Sequence, residues 1–161
     1  MFSIRKGKKE DIPAVFELIK ELALYEKAPD QVTNSISMME RDGFGPEPVF
    51  GFFVLVKESS QTIVGTAIYY YRYSTWKGKR LYLEDYIITE KERGKGGGKL
   101  LFEAVMQKSL EEGCTGMMWQ VLDWNDPAIR FYEKYHAEFE DGWINCHLQS
   151  EAIVEMLDQT K

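Results

Sequence analysis

Two adjacent acids, Glu84 and Asp85, interrupt an otherwise apolar, β-rich run, RLYLEDYII. A carboxylate buried in such a run without a partner costs several kcal/mol, so each acid must be paired, hydrated or used. Among the uses open to such acids are binding a cation and accepting a proton, and an amine is one substrate that needs both. An alkylammonium ion, with a pKa near ~10.4, is free amine in roughly one molecule in a thousand at neutral pH. A carboxylate that binds it and takes its proton, directly or through water, prepares a nucleophile. Successive strand side chains face opposite ways, so only one of the two lines a given cavity unless a bulge intervenes. The structural alternative is an ion pair between Glu84 and a basic neighbour such as Arg80.

A second chemical stretch follows at once. Arg93-Gly94-Lys95-Gly96-Gly97-Gly98 sits between the acidic run and an apolar one. Counted from Gly94, both the dinucleotide pattern G-x-G-x-x-G and the P-loop pattern need glycine at 99, where Lys99 stands. What remains is Arg93-x-x-Gly96-x-Gly98 opening a helix. Amides at a helix start converge on an anion, the helix dipole adds partial positive charge, and glycines remove the Cβ atoms that would hold a phosphate away. Lys91, Arg93, Lys95 and Lys99 set four cations against Glu90 and Glu92, a local reversal of the chain's overall sign. The loop reads as a pyrophosphate cradle, and its plain alternative is a solvated corner.

The elements that must position these residues are legible from periodicity. FSIRKG alternates as a short strand; a helix then opens near Asp11 with Pro13 in its first turn and an apolar stripe through Val15, Leu18, Ile19, Leu22 and Tyr25. TNSISMMERDGFG reads as a shorter helix closed by Gly43. VFGFFVLVKE, TIVGTAIYYYRY and KRLYLEDYIIT read as strands. After the glycine loop a helix striped with Phe102, Val105, Met106 and Leu110 stops at Gly113. GMMWQVL reads as a strand, Asp126-Pro127 as a helix cap and first position, and GWINCHLQ as a last strand. These elements predict one α+β domain over residues 1–161, a mixed, mostly antiparallel sheet flanked by helices.

Bulk properties bound the function. The chain has 161 residues, 44% of them hydrophobic, enough for a single core. No run reaches the roughly 18 apolar residues of a membrane span, and the charged N-terminus is unlike a secretory signal, so a cytoplasmic location without membrane attachment is expected. A formal charge of −6 disfavours nucleic acid and tolerates a cationic partner. Cys114 and Cys146, far apart and without histidines at ligand spacing, predict reduced packing residues and no metal site.

The loop resembles the acetyl-CoA-binding motif [QR]-x-x-G-x-[GA] of the GNAT N-acetyltransferases. LIKELALYEKAPDQV, DGFG, IVGTAIYYYRYSTWKGKRLYLEDYIIT and DWNDPAIRFYEKYHA extend the likeness, in order, to the diamine (spermidine/spermine) and thialysine branch. The resemblance implies acetyl-CoA as cosubstrate, a small cationic amine as acceptor, and a homodimer. It implies that the backbone of Ile87 and Ile88 pairs with the pantetheine arm, that Arg93, Gly94, Lys95, Gly96, Gly97 and Gly98 hold the pyrophosphate, and that Asn125 contacts the cofactor's arm. Tyr132 matches the tyrosine beside the thioester sulfur, a proton donor to the departing thiolate; its alternative is a packing face with Ile129, Phe131 and Tyr135. Glu84 matches the acid that binds or deprotonates the amine, with Asp85 beside it. Tyr25, Glu26 and Trp76 match acceptor-groove positions, against plain roles as a packing tyrosine, a solvated glutamate and a turn tryptophan; Asp141 and Trp143 are weaker candidates. Two departures stand out. Lys95 and Gly97 occupy positions often apolar in the diamine enzymes, and Ser74-Thr75 precede Trp76 where an acid is common, which opens the way to a shorter amine than a long polycation. A non-catalytic acyl-CoA-binding domain and a protein lysine or N-terminal acetyltransferase are the alternatives.

Overall fold

The computed structural model describes residues 1–158. They form two compact units, the first covering Met1–Leu122 and the second beginning at Asp123.

In the first unit, strands β1 (Phe2–Lys6), β2 (Gly51–Lys57), β3 (Thr62–Ser74) and β4 (Gly78–Ile88) form consecutive antiparallel pairs, and β5 (Met117–Met118) joins β4 in parallel. Helices α1 (Ile12–Tyr25) and α2 (Ile36–Phe44) precede β2; α3 (Gly97–Glu111) follows β4. The mixed, mostly antiparallel sheet flanked by helices is the architecture that the periodicities predict.

One sheet face carries α1 and α2, with Ile12, Val15, Phe16 and Met39 packed on Phe52, Val54, Val56 and Ile68. The other carries α3, where Tyr86 and Phe102 pack edge to face at 5.8 Å. The buried stripe of α3 is Gly97, Leu101, Phe102, Val105 and Ser109, which keeps Phe102 and Val105 of the expected stripe but not Met106 and Leu110. Met106 and Leu110, 37% and 72% exposed, are rotated out of it because Gly97, Leu101 and Val105, spaced by four, fix which side meets the sheet. Helix α2 runs through Gly43 and is capped at Gly45, whose N–H bonds Arg41 O at 2.9 Å. The GMMWQVL strand shrinks to the two residues of β5.

Asp11 opens α1 without a side-chain capping bond to that helix. Its carboxylate instead accepts from Arg5 Nη1 and Nη2 (2.6 and 2.8 Å) and from the Lys8 amide (2.8 Å), tying β1 to the helix start. Arg5 hydrogen bonding holds this carboxyl below the usual range, against the upward pull of burial. A group with a depressed folded pKa contributes stability above its unfolded pKa that is lost as pH falls through the folded one. Asp11→Ala is therefore expected to cost about 2–3 kcal/mol at pH 7 and progressively less in acid, as read by thermal melts across pH.

The second unit holds α4 (Asp126–Glu133) and α5 (Ser150–Asp158). The cap of α4 is Asn125, not Asp126: its side chain accepts from the Ala128 amide at 3.4 Å, and Pro127 falls in the first turn. GWINCHLQ forms no strand. Alternation makes a strand only where a neighbour offers matching N–H and C=O groups, and no pairing involves residues 143–149. Cys146 is exposed, contrary to a packing role, while Cys114 is half-buried.

Candidate active site

Strand β4 carries the acids, and the irregularity that arranges them is visible in its register with β3. Ile68 pairs with Asp85 and Tyr69 with Leu83, so Glu84 is the extra residue of a β-bulge. Alternation from Tyr82 places Glu84 on the α1 face, and pairing with Ile68, a residue of the α1 core, places Asp85 there too. The bulge thus removes the conflict that a regular strand would impose and turns both carboxylates to one side.

The electrostatics agree. Asp85 is pushed up from 3.8 to about 6 by burial, then by the charges of Glu84 and Glu26. Glu26, just past the end of α1, is itself raised by desolvation. Tyr70 and Tyr82, stacked at 5.1 Å between ring centroids, are both raised by burial and by Glu84. Asp85 and Glu26 are thus both held toward the protonated form, and the charge of Glu84 contributes at Asp85. Arg80, the expected structural partner of Glu84, instead donates from Nη2 to Met117 O at 2.8 Å.

The edge of β4 opens at the same level. Its pairing with β5 ends at Tyr82, so from Leu83 to Ile88 it has β3 on one side and no strand on the other among the described residues. This is space for an extended arm to add main-chain contacts. Ile87 and Ile88 are buried there, and the Ile88 carbonyl accepts from Arg93 Nε at 2.8 Å.

The glycines of the loop have two different reasons. Gly94 (φ +74°) and Gly96 (φ +87°) are left-handed, with open space where a Cβ would stand. Gly97 and Gly98 allow α3 to lie close to the sheet: a Cβ would meet Leu55 Cδ2 at 2.5 Å or Tyr86 Oη at 2.8 Å. The Tyr86 hydroxyl donates to Gly98 O at 2.7 Å, clamping the first turn to β4. The α3 ladder starts at Leu100 N–H to Gly96 O (3.3 Å), so the amides of Gly97, Gly98 and Lys99 precede any helical acceptor and point out of the helix start. These amides, with glycines beside them, fit a pyrophosphate.

The cationic side chains contribute less than their number suggests. Lys95 Nζ bonds Lys91 O (2.7 Å) and Glu92 (3.0 Å); Lys57 also reaches Glu92, at 2.6 Å, and the two lysines hold that carboxyl below its usual range. Lys99 faces Glu103 at 3.8 Å. Arg93 lies over the Tyr25 ring at 4.9 Å and 3.9 Å from Glu21. The cradle is built mainly from backbone. Glu21, which the sequence does not single out, accepts from Thr89 Oγ1 and the Glu90 amide, both at 2.8 Å, and pins the strand-to-loop corner.

Of the acceptor-groove candidates, Glu26, Glu84 and Asp85 come together, while the Tyr25 ring is occupied by Arg93. Trp76 is 88% exposed in the β3–β4 turn, which Ser74 Oγ forms by accepting from the Trp76 and Lys77 amides. The strand from Gly78 to Glu84 separates that turn from the acids by about 20 Å within the chain. In the second unit Tyr132 is a buried residue of α4 with the Phe131 ring 5.5 Å away, and Asp141 and Trp143 are exposed.

A bulged strand with two acids on one face, an open strand edge and a glycine-led helix start are the parts of this site. The chain matches the Acetyltransferase (GNAT) family over residues 13–137 and belongs to it. It is an N-acetyltransferase. It is 35% identical over 162 residues to a thialysine N-epsilon-acetyltransferase of Bos taurus, covering 95% of each chain. It is 33% identical to the human spermidine/spermine N(1)-acetyltransferase-like protein 1, over 96% of this chain and 24% of that one. Its fold is similar to that of an aminoglycoside acetyltransferase from an uncultured soil metagenomic sample, with a TM-score of 0.76 at 20% identity, over 92% of this chain and 97% of the other.

Proposed function

We propose that the protein moves an acetyl group from acetyl-CoA to a primary amine of a small cationic acceptor, polyamine, diamine or thialysine- or lysine-like, by direct attack with both substrates bound. The observation that carries this reading is the bulge that turns Glu84 and Asp85 to one face beside Glu26. Glu84 and Glu26 hold the ammonium group, and the role of proton acceptor, which the motif match gives to Glu84, passes in this reading to Asp85, whose proton affinity burial raises toward neutrality, directly or through water.

Acetyl-CoA supplies an activated acetyl thioester. The Gly97, Gly98 and Lys99 amides would hold its pyrophosphate, and the open β4 edge near Ile87 its arm. The roles of Asn125 as a contact to that arm and of Tyr132 as proton donor to the departing thiolate rest on the motif match. A homodimer is supported by the exposed apolar side chains of the second unit, among them Trp143, Ile144 and Leu148 at 82%, 87% and 66% exposure, the kind of surface a second copy covers. We also propose a cytoplasmic location, on the sequence alone; no described helix is long and apolar enough to cross a membrane.

Titration calorimetry tests the reading: saturable heat with acetyl-CoA is expected, and none at millimolar cosubstrate would sink it. In Tyr132→Phe, turnover by thiol release is expected to fall about 100-fold with acetyl-CoA affinity nearly kept. Equal losses in binding and turnover would assign this tyrosine to packing.

A further inference from the structure

The same face of the β3–β4 hairpin continues past the acids into two arginines that nothing in the proposed chemistry uses. Arg72 and Arg80 are directly paired across the strands, which puts both side chains on one face, and the stacked Tyr70–Tyr82 pair lies next to them toward Glu84. Cross-strand like charges destabilise a sheet unless something sits between them. Neither arginine forms an ion pair with a carboxylate among the described residues. Arg72 Nη1 meets Met118 Sδ at 3.1 Å and Arg80 Nη2 meets Met117 O; Arg80 Nε is buried with no hydrogen-bond partner. A buried guanidinium N–H left unmatched is costly, and a site with an orphan donor beside a second guanidinium is built for an anion.

The order along the face is therefore acids, aromatic pair, arginines. From the Ile68–Asp85 pair to the Arg72–Arg80 pair is four residues of β3, about 13 Å of strand. The influence of both ends on the middle is visible in Tyr70 and Tyr82, which burial and Glu84 raise and Arg72 lowers. A molecule laid on this stripe with its ammonium group among the acids extends its aliphatic stem over the tyrosine rings and brings its far end to the guanidinium groups, whose flexible arms cover the remaining distance. A second ammonium there is repelled; a carboxylate is welcomed.

We propose that Arg72 and Arg80 form a carboxylate subsite, which makes the acceptor an amino acid bearing an ω-ammonium group rather than a polyamine or plain diamine. The proposal rests on the amine-acetyltransferase reading and selects within it. The aromatic step fits an aliphatic or thioether stem through dispersion contact, while the guanidinium fork supplies directional bonds to both carboxylate oxygens. Specificity then comes from both ends: attraction at the arginines for the anion, and repulsion there for a polycation.

Thiol release from acetyl-CoA, measured with L-lysine, L-lysinamide and 1,5-diaminopentane, tests this directly. The wild type is expected to favour lysine over each of the other two by about tenfold or more in kcat/KM, mainly through KM. In Arg72→Gln, and separately in Arg80→Gln, which keeps a donor toward Met117 O, the ratio of lysine to diaminopentane should fall by about tenfold, with kcat for lysine changing less than KM. A wild type that prefers diaminopentane, or variants that leave the ratio intact, overturn the subsite. If no amine is acetylated, the catalytic reading fails separately. The subsite is then judged by calorimetric binding of lysine against lysinamide: carboxylate-dependent binding lost in Arg72→Gln supports it, and equal binding of the two ligands overturns it.

Discussion

Asp85→Asn is expected to lower kcat/KM for the amine acceptor by about 10²–10⁴ while raising the melting temperature at neutral pH. Both effects have one origin. Burial and the neighbouring charges of Glu84 and Glu26 lift the Asp85 carboxyl from 3.8 to about 6, so the ionised form is a better proton acceptor than an exposed aspartate and a liability to the fold. The sign follows from proton binding. A carboxyl whose folded pKa lies above its unfolded value holds its proton more tightly in the native state. Its penalty is absent below about pH 4, grows as pH rises toward 6 and is complete above that. A rise from 3.8 to about 6 corresponds to no more than about 3 kcal/mol. Asparagine keeps the shape and removes the charge, so the stability gain of the variant should close in acid. The ascending limb near pH 6 in the wild-type profile of kcat/KM should be missing from the variant. Wild-type turnover in Asp85→Asn, or a stability difference unchanged between pH 3.5 and 7.5, would remove Asp85 from the proposed proton transfer.

Gly98→Val is expected to weaken acetyl-CoA binding by about 100-fold and to destabilise the fold by about 1–3 kcal/mol. A Cβ at 98 stands 2.8 Å from Tyr86 Oη, the hydroxyl that clamps the helix start by donating to Gly98 O. The added branches must displace the Tyr86 ring, which packs on Phe102, or lift the first turn of α3. Either move turns the amides of Gly97, Gly98 and Lys99 away from a common point, and convergence is what makes them an anion site. Tyr86→Phe gives a graded comparison, losing the hydroxyl bond without the clash, at about 1 kcal/mol. Calorimetry with acetyl-CoA separates the cases. A Gly98→Val protein that folds and binds as the wild type does would mean that the cradle does not depend on this close approach.

The contrast between Gly96 and Gly98 shows where sequence reading runs out. Both are glycines of one motif, and the motif identifies the loop, yet the left-handed backbone of Gly96 and the crowding at Gly98 by Tyr86 are separate constraints. Similarly, four cations flank the loop in the chain, but Glu92 and Glu103 lie against two of them and Arg93 turns to Ile88 O and Tyr25. Counting charges along a segment does not reveal which are neutralised by residues distant in sequence, such as Lys57 on Glu92 or Glu21 at the corner of the loop.

The sequence by itself determined the element order from β1 to α4, the mixed sheet, the glycine loop opening α3 and the presence of two acids in an apolar strand. Each of these is written in local periodicity, in residue types with restricted backbone preferences, or in a contiguous motif. The tertiary structure alone decided that Glu84 and Asp85 share a face, because a bulge depends on the register between two strands and no property of β4 alone shows it. It also decided that Arg72 and Arg80 are neighbours, that Trp76 stands at a far turn, and that GWINCHLQ forms no ladder. Those outcomes depend on which strand lies beside which, and hydrogen-bond partners supplied from elsewhere in the chain settle that.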